Sequence, residues 1–240
     1  MSREFFRSLA RETAAGYPAR DRVARHFAYG KLTGDPVFAH LLRAGLIPDR
    51  SRLLDLGCGQ ALLAALLFAA RARYARGDWP AGWPAPPELA GFTGVDLRPL
   101  DVERARAAMP RADAAFVTSD IRTAEFPPAD VVVILDVLHY IDYPEQLEVL
   151  RRARTALSPR GTLVMRVGDR SDTLRFRYTV LVDRLSIALR GSRLPRVWCR
   201  PVAEWRAELE RLGFTVRAEP MSEGTAFANV LLVASYDGPA

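Results

Sequence analysis

At 240 residues, 49% of them hydrophobic, the chain can bury one full core, and its apolar runs "ALLAALLFAA" and "VVVIL" fall short of the about 18 residues that cross a bilayer. Its net charge of +6 rests on 34 basic residues of which only Lys31 is lysine, a ratio that looks like GC-rich coding and not like selection for phosphate contacts, so a nucleic-acid partner is not expected. The opening "MSREFFRSLARETA" lacks the apolar middle and small-residue cleavage site of a secretory signal, so a cytoplasmic protein is expected, with Cys58 and Cys199 as free thiols.

Residues 1–50 read as helices carrying arginines and aromatics and ending at "GLIP", expected either to cover the mouth of a sheet as a helical lid or to pack as an ordinary helix pair. From residue 51 strands and helices alternate. "RLLDLG" reads as a buried strand, "QALLAALLFAARARY" as a helix, "FTGVDL" as a strand, "DVERARAAM" as a helix, and "AAFVTSD" and "ADVVVILDVL" as strands. "PEQLEVLRRARTALS" then reads as a helix and "GTLVMRVGD" as a strand. The proline- and glycine-rich stretch Arg76–Gly91 bars both helix and strand interior and is expected to be a surface loop. This alternation predicts an α/β fold with a mostly parallel sheet and helices on both faces. "PVAEWRAELERLGF" follows as a helix stopped by Gly213, and then "FTVRAEPMS" and "FANVLLVASYD" come as two strands with no helix between them. They predict an antiparallel C-terminal hairpin that completes seven strands.

Between the first strand and first helix lies "LLDLGCGQALLAALL", Leu53 to Leu67. Gly57 and Gly59 stand where a backbone must take positive φ or come close to a ligand, and the helix after them offers free N–H groups. A dinucleotide fingerprint would need glycine at position 62, where this chain has Leu62, so a nicotinamide-dependent oxidoreductase loses weight. Asp55 places a carboxylate that would repel a pyrophosphate and welcome an ammonium group. Further acids end successive strands: Asp96 the second, Asp120 the third and Asp136 the fourth. Singly each reads as well as a cap; in register they mark the ligand-binding edge of an open α/β sheet.

"LLDLGCGQ", "GVDL", "SDI" and "DVLHYI", in this order and spacing, resemble the motifs of class I S-adenosylmethionine-dependent methyltransferases, over roughly Arg52 to Asp237. The resemblance implies a Rossmann-like fold and S-adenosylmethionine as cofactor, with residues 51–240 as the methyltransferase domain. It implies that Asp55, Gly57, Cys58 and Gly59 lie against the methionine moiety, that Asp96 and Leu97 hold the ribose side, that Asp120 and Ile121 border the adenine, and that Asp136 orients the sulfonium side or the acceptor. Ala61 stands where many members carry a third glycine. The segment "DVLHYI" would border the transferable methyl, which makes His139 the candidate general base, with Asp136 and Tyr140 beside it as catalytic candidates; alternatively His139 packs or caps. Tyr143 is a further candidate for the acceptor side. Lys31 is placed either to meet the cofactor's carboxylate or to be solvated. Asp136 and Asp169 occupy the strand ends a catechol-type metal site uses, but "DRSD" replaces the usual Asp-Asn pair, so no metal is expected.

An inserted helical segment is expected at about 171–200. From Arg175 to Arg200 it carries seven arginines against one acid, Asp183. Leu174, Tyr178, Leu181, Leu185 and Ala188 share one helical face there, with Arg177 and Arg184 off it. This segment reads as a helix packed on its own domain, or as a basic rim for an acidic partner such as an acyl carrier protein, or for a membrane surface. "KLTGDPVF", "VVILDVLHYIDY", "RVGD" and "GTAFANVLLVA" also resemble small-molecule methyltransferases that accompany bacterial aryl-polyene and fatty-acid-like biosynthesis, which implies a small aromatic or carrier-bound acceptor. A non-catalytic binding module on the same fold and an RNA methyltransferase are the alternatives.

Overall fold

In a computed structural model, which describes residues 2–109, 113–169, 197–223 and 228–237, helices and strands follow one another as the periodicity predicts, and the chain divides into two compact units, 1–131 and 132–240.

The first unit opens with α1 (Ser2–Ala15), α2 (Arg22–Gly34) and α3 (Pro36–Arg43). Asp21 accepts the Ala24 N–H at 2.9 Å and Asp35 that of Val37 at 3.1 Å, supplying partners for donors that a helix start leaves over. β1 (Arg52–Leu56) is buried from Leu53 onward, and α4 (Leu62–Ala75) is apolar nearly all round, a pattern that is stable only when both its sides are covered. β2 (Gly91–Asp96), α5 (Pro99–Ala108) and β3 (Ala114–Thr118) follow. β2 pairs in parallel with β1 from Arg52↔Gly91 to Leu56↔Val95, and with β3 from Phe92↔Ala114 to Asp96↔Thr118. Parallel register brings the carboxyl ends of these strands, and the acids that follow them, to one edge. The loop before β2 is folded back on α1: Trp79 and Trp83 meet Phe5 edge-on at 5.5 and 5.8 Å between ring centres.

β4 (Ala129–Leu135) leads into the second unit, through a 3₁₀ turn (Leu138–Tyr140), α6 (Tyr143–Ala156), β5 (Leu157–Gly168), α7 (Val202–Arg211), β6 (Thr215–Pro220) and β7 (Asn229–Ser235). A capping box starts α6, with Asp142 accepting from the Glu145 N–H and Glu145 returning a carboxylate to the Asp142 N–H. β5 begins at Leu157, four residues before its expected start, because Pro159 forces Ser158 out of helical conformation. β7 runs antiparallel to both β5 and β6, the expected closing hairpin. The seven strands take the order β3-β2-β1-β4-β5-β7-β6 in one mixed sheet. No helix among the described residues is long and apolar enough to cross a membrane. Of the expected 171–200 insert only 197–200 is among the described residues, so the apolar face from Leu174 to Ala188 and most of the arginine run lie outside them.

Candidate functional site

Within the first unit the turn after β1 is tied to the end of β2. The N–H groups of Gly57 and Cys58 donate to the Val95 carbonyl at 2.7 and 3.1 Å, and the Gly59 N–H donates to Oδ2 of Asp96 at 2.8 Å. Gly57 and Gly59 take φ of 80° and 55°. A Cβ on Gly59 would meet no atom within 4 Å, so the space before this turn is open, and glycine is needed for its backbone angle. Ala61 also takes positive φ, 59°, which costs a residue with a side chain about 1 kcal/mol. The surroundings hold it there: the Ala61 N–H donates to the Cys58 carbonyl at 2.8 Å, and the buried Tyr17 hydroxyl donates to the Gln60 carbonyl at 2.8 Å. Gly94 explains the packing beneath the turn, because a Cβ there would stand 2.8 Å from Cys58 Sγ and 3.1 Å from both Phe92 and Phe116. Burial, with the Asp55 and Asp96 carboxylates beside it, pushes the Cys58 thiol well above its ordinary range, so Cys58 packs as an uncharged group. Both cysteines are free thiols.

The carboxylates differ in their surroundings. Asp55 is only 4% exposed; burial and the neighbouring Asp96 charge push its carboxyl up to about 7, and among the described residues no hydrogen-bond donor offsets them. Asp96 is raised by burial too, against which the Arg98 N–H on Oδ1 and the Gly59 N–H on Oδ2 pull down. Leu97 stands 65% exposed beside it. Asp120 is held below the usual carboxylate range by Arg122, whose guanidinium spans both its oxygens and whose N–H donates to Oδ1. Ile121 is buried next to it. Lys31 pairs with Asp35 at 2.8 Å, one turn along and past the end of its own helix.

Within the second unit, Asp136 follows β4 in left-handed conformation (φ 58°). Its N–H donates to the Arg166 carbonyl, and its carboxylate is gripped by the Arg166 guanidinium, whose side chain is 1% exposed. His139 lies in the 3₁₀ turn, half-buried with its Nε2 enclosed, its ring centre 4.0 Å from that of Tyr140. Burial drives its imidazole down to about 4; the Asp136 charge opposes this and Arg166 adds to it. The ring is therefore neutral at pH 7, against the near-neutral titration expected of an unperturbed histidine, because an imidazolium loses its hydration there. Tyr140 is 40% exposed. Tyr143 donates its hydroxyl to the Cys199 carbonyl at 3.1 Å, beneath the Arg200 guanidinium 4.4 Å from its ring centre. The fully buried Gln146 amide donates to the carbonyls of Leu138, Ile141 and Trp198, and its oxygen accepts from Arg200 Nε at 2.9 Å. The Trp198 N–H donates in turn to the His139 carbonyl at 2.8 Å, so residues 198–200 are stitched to the His139 turn.

Tyr17, Gln60, Gly94, Arg122, Arg166 and Gln146, which contact the candidate residues or their turns, were not legible as such in the sequence. Arg166 alone left a signal, a lone charge inside the apolar strand "TLVMRVG". Asp169 Oδ1 accepts the Val202 N–H at 3.4 Å, and no His, Cys, Asp and Glu group among the described residues is arranged to hold a metal ion.

A family described as a methyltransferase domain matches residues 54–163. Carboxy-S-adenosyl-L-methionine synthase of Chromohalobacter salexigens is 32% identical over 130 residues, 50% of this chain and 43% of that protein. Trans-aconitate 2-methyltransferase of Enterobacter sp. strain 638 is 31% identical over 135 residues, 56% of this chain and 46% of that protein. The chain thus spans less than half the length of these curated relatives. Among solved structures, an O-methyltransferase family protein from Burkholderia thailandensis superposes with a TM-score of 0.62 at 18% identity, over 92% of this chain and 62% of that one. Magnesium protoporphyrin IX methyltransferase from Synechocystis PCC 6803, solved with bound S-adenosylhomocysteine, gives 0.58 at 21% identity over 98% and 97%. At these identities the likeness to solved structures is one of fold. Over residues 54–163 the chain is thus similar to methyltransferase domains, on a fold it shares with methyltransferases of known structure.

Proposed function

We propose that the chain is an S-adenosylmethionine-dependent methyltransferase acting on a small acceptor. Asp55 carries the proposal: a carboxylate this deeply buried, next to a second carboxylate and with no donor from the described residues, is stabilised by an incoming cation such as the ammonium of an amino-acid moiety. The residues fit the cofactor. Asp55 and the open turn Gly57–Cys58–Gly59 would hold the methionine moiety, Asp96 and Leu97 the ribose side, and Asp120 and Ile121 the adenine. When bound, S-adenosylmethionine supplies an electrophilic methyl group on a sulfonium.

The protein's own work is alignment, exclusion of water and removal of a proton from the acceptor. His139, neutral at pH 7, is assigned to receive that proton, and Asp136, locked by Arg166, supports the turn that carries it. We assign the acceptor side to His139, Asp136 and the half-exposed ring of Tyr140, which suits a planar aromatic acceptor. An acyl carrier protein delivering that acceptor is supported only by the charge of Arg175–Arg200.

The test is calorimetric titration of the purified protein with S-adenosylmethionine and S-adenosylhomocysteine, beside the Asp96→Ala variant. Micromolar binding that disappears in the variant supports the reading. Absence of binding to the intact protein sinks it.

A further inference from the structure

The N-terminal helices reach the glycine turn at a place its own residues leave undetermined. The peptide joining Gln60 to Ala61 is held from both sides: its N–H by the Cys58 carbonyl, inside the turn, and its C=O by the hydroxyl of Tyr17, 43 residues earlier in the chain. The bond is returned. Gln60, itself only 3% exposed, donates from Nε2 to the Ala24 carbonyl in the first turn of α2 at 3.0 Å. The stretch between Tyr17 and Ala24 is pinned further by Arg25, which donates to the Tyr17 and Ala15 carbonyls at 2.7 and 2.8 Å. Asp21, which caps α2, is gripped by Arg104 at 2.7 and 3.2 Å, and Arg104 lies on α5, the helix that follows Asp96. One short segment therefore ties both to the glycine turn after β1 and to the helix that follows Asp96.

We propose that Tyr17 and Gln60 are positioning residues of the cofactor site, so that docking of α1 and α2 and binding of the cofactor form one linked equilibrium. This rests on reading the glycine turn as the cofactor's cradle. The physical reason lies at Ala61. A residue with a Cβ occupies the left-handed region there only while its neighbours hold it, and the orientation of the preceding carbonyl is part of what holds it. Releasing that carbonyl lets the 60–61 peptide rotate, and the Gly59 and Cys58 backbone next to it loses its preset shape. A ligand that needs the preset turn then favours the docked N-terminal helices by the same factor by which those helices favour it.

Tyr17→Phe removes one hydroxyl and keeps the buried ring; Gln60→Leu cuts the return bond and leaves the Tyr17 hydroxyl in place. Two readouts are needed, calorimetric affinity for S-adenosylhomocysteine well below the melting temperature, and trypsin cleavage at the exposed Arg20 and Arg22 with and without saturating S-adenosylhomocysteine. We expect each variant to bind about 5- to 10-fold more weakly, and the ligand to protect Arg20 and Arg22 in the wild type but not in the variants. A merely structural role would lower the melting temperature and leave both readouts alone. Wild-type affinity and wild-type protection in both variants overturn the linkage while the cofactor reading stands. No binding by the wild-type protein overturns the cofactor reading and the linkage together.

Discussion

Oδ2 of Asp96 accepts the backbone N–H of Gly59 at 2.8 Å, so the acid that ends β2 shapes the turn after β1. Asp96→Ala removes that tie, the Arg98 tie and the proposed ribose acceptor together. Loss of two charge-assisted bonds predicts affinity for S-adenosylhomocysteine about 100-fold weaker, with a folded circular dichroism spectrum. Asp96→Asn, which keeps one acceptor oxygen, is expected to fall between the two. Equal affinity in wild type and Asp96→Ala would remove Asp96 from the site.

The Asp55 carboxyl, held near 7, links binding to protons. Its folded value lies above its unfolded one, so the folded state binds more protons between about pH 4 and pH 7, and the contribution of this group to stability falls as pH rises through that window. A cationic ligand moiety beside it favours the carboxylate. Binding near pH 6 is therefore expected to release up to one proton, read as a difference in calorimetric heat between buffers of unlike ionisation enthalpy. Asp55→Asn should abolish the difference.

His139 titrates in the opposite sense. Its folded value, about 4, lies below the unfolded value near 6.5, so its contribution to stability is present above pH 6.5 and is lost as pH falls toward 4. Urea unfolding at pH 7 and pH 5 should show a smaller loss in His139→Gln than in the wild type. Affinity for S-adenosylhomocysteine is expected to be unchanged, and a weakened affinity would move His139 to the cofactor side.

Gly94→Ala puts a methyl group where Cys58 Sγ stands 2.8 Å away, and overpacking of this kind costs about 1 to 3 kcal/mol. Because Cys58 belongs to the turn, cofactor affinity should fall with stability. The double variant Gly94→Ala/Cys58→Ala should recover part of both, and strict additivity of the two substitutions would refute the coupling.

Gln146→Leu keeps volume and deletes four hydrogen bonds, leaving the Leu138, Ile141 and Trp198 carbonyls and Arg200 Nε without this partner in a buried setting. A loss of about 2 to 4 kcal/mol in urea unfolding is expected. A loss under 0.5 kcal/mol would mean that water replaces the amide.

By itself the sequence determined the order of strands and helices, the antiparallel close, the glycine turn and the acids at strand ends, because hydrophobic period and glycine position are local properties that neighbours along the chain already express. The places of Asp55 and Asp96 in β1 and β2 and of Gly57 and Gly59 in the turn were legible for that reason. Only the tertiary structure decided that Asp55 is raised and Asp120 lowered, that His139 is neutral, and that Asp136 is locked by Arg166. It alone joined Tyr17 to Gln60, Gly94 to Cys58 and Gln146 to Trp198, pairs 43, 36 and 52 residues apart. Charge state depends on desolvation, and desolvation on which distant segments close over a group. No local pattern of residues records that.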